Sequence, residues 1–520
     1  MRSLPRWRGM VKPLTESGLY PTVDDLLGEA NARLDADEIS DALRLVQQFV
    51  TAVNADPRAI ARVFADRSLD DFCQALGARV LARMAADNVA EMSEGAAVGP
   101  VYLATELYAT GGHTAVLEDL LKAGSFGEHP TILLTNVLGT VNLEVIRRRF
   151  AAYSVNIECV PDGSLEDRLR WTLTRLRALR PTHLLLFNHH QDSVAIAAAQ
   201  PSLAAQTIFY HHADHHLCLG VTLPYDLHVD PSPAGYHNCR EQLGMRANVY
   251  WPLTAEDRGA PGLHRRSLTA GGGLRTCSTG TRNKFEQPYR FQYGDLVPRM
   301  LAATQGSHVH IGVLSDSTLE CIAEGMRRAG VPAERFTYIE WVPSVWQALQ
   351  DEAVDVYIGS FPVAGARATV EALGSGTPVI AHQSYLSRFH GATDMLYPQG
   401  YSWSTPDELL AHLAALDAQG LQQEALWARA RFDQFHTLDA LRKTIAAGHD
   451  ALPSPPLRDY TSDPLQILLD DIGLGVPAER LAAEAGRLQA TLQEIHASRS
   501  WKLARAISKF VQKVPFAGSL

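Results

Sequence analysis

The 520-residue sequence has no long apolar run. A membrane span needs about 18 consecutive apolar residues, and no stretch reaches that length. Close cysteine pairs are also missing. Cys73, Cys159, Cys218, Cys239, Cys277 and Cys321 stand far apart, so the spacing of zinc ribbons and redox motifs does not occur and a reduced compartment is expected. Positive charge is in deficit. With 47 Lys and Arg against 57 Asp and Glu, the formal net charge is -10, which excludes a general attraction to nucleic acid. The opening MRSLPRWRGMVKPLTESG carries cations but lacks the apolar segment of a secretory signal. A cytoplasmic protein is therefore expected.

What is present is a change of period along the chain. Residues 1–97 read as a helical region, because VDDLLGEANARL, EISDALRLVQQFVTAV, PRAIARVFA and LDDFCQALGARVLARMAA carry apolar residues at three-and-four spacing. Asp37 and Ser68 stand where N-caps are expected. From 98 to 255 short apolar runs alternate with helical patterns: VYLATEL, TILLTNV, VNIECV, THLLLFN, TIFYHH and DLHVDPS are the runs. Such alternation predicts a parallel sheet covered on both faces. Residues 256–274 are rich in glycine and charge and read as a linker. A second series over 275–450 contains LRTCSTGT, HVHIGVL, FTYIEWV, VDVYIGS and TPVIAHQ. The fold class is thus α/β, with two doubly wound Rossmann-like halves in tandem, an N-terminal all-α region and a C-terminal helical tail. A cleft between the carboxyl ends of the two sets of strands is the expected site.

The tail, 451–520, has two parts. Leu481, Ala485, Leu488, Leu492 and Ile495 repeat at four-three spacing, as in a short coiled coil or a helix packed on the body. Arg499, Lys502, Arg505, Lys509 and Lys513 follow with no acid among them, while Leu503, Ile507, Phe510 and Val514 share one face. This is a basic amphipathic helix over 496–520, suited to an anionic membrane surface or to docking on the protein.

The stretch GSFPVAGARATVEALGSGTPVIAH, 359–382, ends a strand, turns through glycine and opens a helix. Free N–H groups at such a helix start attract phosphate, and a carboxylate one turn in can accept from ribose hydroxyls. Gly365 and Thr369 fall at the phosphate end and Glu371 at the ribose end. EALGSGTPVIA resembles the nucleotide-sugar signature of GT-B glycosyltransferases. The wider run is similar to the O-GlcNAc transferases and the bacterial cytoplasmic glucosyltransferases that modify adhesins. The large retaining family has a second glutamate eight residues before the one matched by Glu371; Val363 stands there instead. That departure argues against a double-glutamate mechanism.

The resemblance spans roughly 100–440, and it implies roles for two further loops. STGTRNKFEQPY, 278–289, lies where GT-B enzymes hold the donor diphosphate, which points to Thr279 and Lys284. YATGGHTAVLEDLL, 108–121, lies where the first loop faces donor and acceptor, which makes His113 a candidate base or substrate ligand. The tail segment ASRSWKLARAISKF looks like the Ser-x-Ser-Trp-Lys/Arg-Leu tail of glycosyltransferases in bacterial surface polysaccharide assembly. That likeness favours a lipid-linked glycan acceptor, whereas the adhesin-like likeness favours a protein.

FYHHADHHLCLG, 209–220, concentrates four histidines and an aspartate at the carboxyl end of a strand. As a metal site it misses two known patterns. Tyr210 stands where the metallo-β-lactamase motif needs histidine, and no Asp-x-Asp strand accompanies the Asp-His-His of the phosphoesterases. An acid/base role fits better, since histidine titrates near neutrality and a neighbouring aspartate can orient it. His211, His212, Asp214 and His215 are the residues expected in the cleft, with no metal and no cofactor. The expected activity is transfer of a sugar from a nucleotide diphosphate sugar to a glycan or protein, in surface polysaccharide or protein glycosylation. UDP is favoured over GDP or dTDP. A metal-dependent hydrolase and a GT-B scaffold without activity are the alternatives.

Overall fold

The computed structural model describes residues 22–55, 59, 63–86, 99–109, 111–260, 273–448 and 454–460. The heptad segment, the basic helix over 496–520, parts of PRAIARVFA and most of the glycine-rich linker lie outside the described residues.

Three helices come first: α1 (Val23–Asp35), α2 (Ile39–Ala55) and α3 (Arg67–Ala86). Thr22 caps α1 through a capping box with Asp25. The expected caps at Asp37 and Ser68 are not the ones used. Asp37 sits at φ 65 and pairs with Arg83, and the start of α3 is held by Asp66. Its Oδ1 accepts from Ser68 N at 2.9 Å and Leu69 N at 3.3 Å.

A seven-stranded parallel sheet follows. Its elements are β1 (Pro100–Ala104), α4 (Gly112–Ala123), β2 (Thr131–Leu134), α5 (Leu143–Arg149), β3 (Asn156–Cys159), α6 (Leu165–Leu179), β4 (His183–Phe187), α7 (Ser193–Ala198), β5 (Gln206–Tyr210), β6 (Leu227–Asp230), α8 (Pro233–Glu241) and β7 (Asn248–Tyr250). The strand order is β3-β2-β1-β4-β5-β6-β7. Strands such as β1, β2 and β4 are apolar almost throughout because helices cover both faces.

The second sheet is built alike. It comprises β8 (Arg275–Thr279), α9 (Arg282–Phe285), α10 (Tyr293–Thr304), β9 (Ser307–Ile311), α11 (Asp316–Arg328), β10 (Phe336–Ile339), α12 (Val345–Asp351), β11 (Val356–Ile358), α13 (Ala366–Gly374), β12 (Val379–His382), α14 (Arg388–Gly391) and β13 (Ser402–Trp403), followed by α15 (Pro406–Ala415), α16 (Ala418–Phe435) and α17 (Leu438–Ala447). Its order is β10-β9-β8-β11-β12-β13. In both sheets the order reverses beside the first strand, so β1/β4 and β8/β11 are the switch points where a crevice opens.

Two details fix the frame of the site. Helix α17 returns to the first half: Arg442 Nη2 donates to Lys122 O at 3.0 Å and its Nε to Ala123 O at 3.1 Å, and Leu441 joins the core around α4. By packing, the stretch 438–447 thus belongs with the first sheet, although it follows the second in the chain.

The α-helical region is fastened to the segment after the histidine motif. Buried Asp70 accepts from Gly220 N at 2.6 Å, Thr222 N at 2.9 Å and Thr222 Oγ1 at 2.7 Å. Burial pushes its carboxyl up to about 6 despite these bonds. Asp70→Ala strands three donors in the interior, each costing about 1–3 kcal/mol, offset in part by no longer burying a carboxylate. A net loss of about 3 kcal/mol is expected in urea unfolding; a loss within 0.5 kcal/mol, the size of an ordinary surface change, would show that the anchor is not used.

Candidate active site

The carboxyl ends of the two sheets face each other across a cleft of about 860 Å³. The second half supplies a set of groups suited to an anion. Helix α13 begins at Gly365, which has no side-chain cap, so its first N–H groups lack a partner from the cap. Beside them lies Lys284, whose Nζ donates to Ala364 O at 3.0 Å. Burial lowers its pKa, and it makes no ion pair among the described residues. A half-desolvated cation next to a helix start is a strong anion site.

The loops carrying these groups depend on close backbone approach. A Cβ on Gly312, which sits at φ 129, would meet Gly280 O at 2.1 Å. The turns after β8 and β9 are therefore locked together, with Thr279 and Gly280 on the cleft wall. Thr279 Oγ1 is 2.8 Å from Tyr357 Oη.

Glu371 lies one turn into α13 and faces the cleft. Its Oε2 accepts from Trp346 N at 3.0 Å, which fixes the carboxylate against the start of α12. The preceding loop, Glu340 to Ser344, forms the cleft rim, and Trp341 there is 61% exposed. Thr369 is placed differently from the expectation. Its Oγ1 turns back to Gly365 O at 3.1 Å, and the residue is buried away from the cleft. Position 369 falls on the covered side of the helix, whereas 367, 368 and 371 fall on the open side.

The first half supplies imidazoles. His113 opens α4 behind Gly111, whose φ of 114 suits glycine alone. Its ring is 4.4 Å from that of His212 and 5.1 Å from that of His189. Burial, then His212 and His189, hold it well below the usual imidazole range. Neither ring nitrogen makes a well-formed hydrogen bond.

The motif His211 to His216 divides. His211 continues the ladder, its N–H bonding to Val229 O at 2.8 Å. Side chains alternate across a strand, so His211 enters the layer under α8 and is fully buried, while His212 faces the cleft. The expectation that His211 lines the cleft is corrected here. Asp214 and His215 do line it. His215 Nδ1 is 3.3 Å from Asp214 Oδ1, and Asp214 Oδ2 is in turn held by Ser232 Oγ. The nearby NHHQD run forms a layer behind: Asp192 is buried, accepting from Thr105 Oγ1 at 2.6 Å and Thr135 Oγ1 at 2.5 Å.

Arg367 and Asp119 were not singled out from the sequence. They form an ion pair across the cleft floor, and Thr254 Oγ1 adds a bond of 3.2 Å to Asp119. Arg367 opens α13 in plain view, but its partner lies 248 residues away and no local pattern links the two.

With this geometry in view, the chain can be set beside known proteins. No protein-family profile and no curated protein sequence matches it. Solved structures do. Anabaena Alr3699/HepE in complex with UDP and glucose superposes with a TM-score of 0.51 at 15% identity, covering 68% of this chain and 100% of that one. The same protein in complex with UDP-glucose gives 0.50 at 14% identity, with the same coverage. A glycosyltransferase from Rickettsia africae gives 0.50 at 9% identity, covering 68% of this chain and 98% of that one. The protein has the GT-B fold.

The buried imidazoles make stability depend on pH. Burial pushes His190, His212 and His310 down to about 4, and His308, His382, His390 and His436 down to about 3. Their unfolded counterparts take up protons near pH 6.5. Between these values the unfolded chain binds more protons, so stability falls as pH falls. Asp70 acts oppositely, its contribution being lost as pH rises towards about 6, and burial raises Asp119, Asp192 and Glu424 in the same sense, but these are four carboxyls against seven imidazoles. The melting temperature is expected to drop steeply from pH 6.5 to pH 4. A flat profile in differential scanning fluorimetry over that window would contradict the burial of these rings.

Proposed function

We propose that the protein is a glycosyltransferase that takes a sugar from a nucleotide diphosphate donor, with UDP favoured, and passes it to a hydroxyl or amide of a glycan or protein. The observation that carries this reading is the half-buried Lys284, which makes no ion pair among the described residues, beside the uncapped start of α13, with Glu371 one turn further on. Diphosphate charge grows as the sugar leaves, and these fixed groups meet it without rearranging. Glu371 holds the ribose hydroxyls with Oε1, the oxygen that lies 3.6 Å from Arg367 Nε and is not engaged by Trp346. Gly365 contributes its N–H, and Thr279 shapes the wall beside Lys284. The GT-B neighbours support the reading because structures of one of them hold UDP or UDP-glucose.

On the opposite wall His215 is our choice for the base. It is the cleft histidine with a carboxylate at ion-pair distance, and that carboxylate orients the ring and stabilises it once protonated. His212, pushed down to about 4, remains neutral at working pH and, with His113, offers hydrogen bonds to substrate. The acceptor proton goes to His215 and the bond to the sugar passes to the acceptor oxygen or nitrogen. Since Lys284 and the helix start neutralise the diphosphate, no metal is required for transfer. The protein would work in the cytoplasm, in polysaccharide or protein glycosylation, with 496–520 bringing it to the membrane face.

Thermal-shift titration tests the donor half. A nucleotide at about 100-fold its Kd stabilises the folded state by about 2.7 kcal/mol. UDP or a UDP-sugar is expected to give that shift with chelator present, and Lys284→Ala to weaken it roughly 10- to 100-fold in Kd by losing a charge-assisted bond. Absence of a shift with every nucleoside diphosphate would refute the donor site. His215→Asn is expected to lower kcat by roughly 10²- to 10⁴-fold while leaving UDP affinity as it was; equal loss in both would remove His215 from the base role.

A further inference from the structure

The fully buried His211 has an unexpected set of neighbours. Its Nδ1 is 2.9 Å from Asp230 Oδ1 and 3.5 Å from Cys239 Sγ. His228 Nε2 is 3.3 Å from the same Asp230 oxygen and 3.7 Å from Cys239 Sγ. Cys239 Sγ is 3.3 Å from that oxygen as well. All four ligand atoms lie within 4.8 Å of one another. They come from three elements, the end of β5, β6 and α8, and from residues with no short-range spacing motif.

As a plain hydrogen-bond network the cluster is over-subscribed. Three donors converge on one carboxylate oxygen that offers about two lone pairs, while Asp230 Oδ2 is already taken by Asn248 Nδ2 at 2.6 Å. The separations suit a different occupant. A tetrahedral zinc ion with bonds of about 2.0–2.3 Å spaces its ligand atoms about 3.3–3.6 Å apart, close to most of the distances found. The ligand set is also right in kind, since imidazole, carboxylate and thiolate are zinc donors. One thiolate and one carboxylate balance the two positive charges, so the occupied site is neutral. That matters for residues only 0–4% exposed.

We propose that His211, His228, Asp230 and Cys239 bind one zinc ion in a closed, structural site. Binding releases the Cys239 thiol proton to solvent and leaves no coordination position open, so the ion takes no part in transfer. Its effect is positional: it pins the end of β5 and the last turn of α8, where Cys239 lies, to the sheet. The loop from His212 to His216 leaves from that pin, and Ser232, one residue before α8, holds Asp214. The half of the motif that is out of the cleft thereby sets the half that lines it.

Elemental analysis of the full-length chain, purified without an immobilised-metal step and desalted after incubation with zinc, decides the matter. About one zinc per chain is expected. Cys239→Ser and His228→Ala are expected to retain less than roughly a tenth of that, whereas Cys218→Ser, a neighbouring cysteine outside the cluster, retains it all. Should the two ligand variants fail to fold, cobalt reconstitution of the wild-type chain serves instead, with a thiolate-to-cobalt charge-transfer band expected in the near ultraviolet. A wild-type chain that holds no zinc after incubation, a cobalt spectrum without that band, or Cys239→Ser with undiminished zinc would each overturn the proposal.

Discussion

One largely buried ion pair on the cleft floor joins the two halves. Arg367 belongs to the first turn of α13, the helix that would face the donor phosphates, and Asp119 belongs to α4, the helix that carries His113. Breaking such a pair by removing one partner leaves an uncompensated charge in the interior, a cost of about 3–5 kcal/mol. The start of α13 and the body of α4 are thus set in a fixed relation, and the distance between the anion-holding wall and the imidazole wall follows from it. Gly112 lies against this pair: a Cβ there would come to 3.6 Å from Arg367 Cβ, an ordinary van der Waals contact.

Burial and its consequences run through the same region. Lys284, His113, His212 and His390 all lose charge stability to desolvation. A site that is costly to charge when empty gains most from an anionic ligand, since the ligand supplies the missing counter-charge. This is the physical sense in which a polar, poorly solvated cleft favours an anionic ligand over a neutral one.

Much of this was legible in the sequence, and the limits have physical causes. The alternation of apolar runs with three-and-four patterns is a local signal, and nearly every strand read from it is present. β7 and β13, three and two residues long, were not read, whereas the equally short β11 was, because it lies in the apolar run VDVYIGS. Gly365, Lys284 and Glu371 were readable because a glycine turn before a helix is a local pattern with local chemistry. Thr369 was misplaced because helical phase decides which side of α13 a residue occupies, and a single position in the phase separates the open side from the covered one. His211 failed for the same kind of reason, since alternation at the end of β5 turns it away from the cleft and turns His212 toward it. Asp119 with Arg367, and His211 with His228, Asp230 and Cys239, are associations of residues distant in the chain. Only the fold brings them together.

The return of α17 to the first half has a mechanical consequence. The chain crosses between the sheets twice, once after Tyr250 and once after Phe435, and the crossings are bonded to each other: His436 Nδ1 lies 2.6 Å from Leu253 O, and Ala255 N donates to His436 O at 3.0 Å. Two linkers tied at a point behave as a door hinge with one pin rather than as two loose tethers. Any widening of the cleft would swing about that pin, and the contact between Arg367 and Asp119 is the one that has to part.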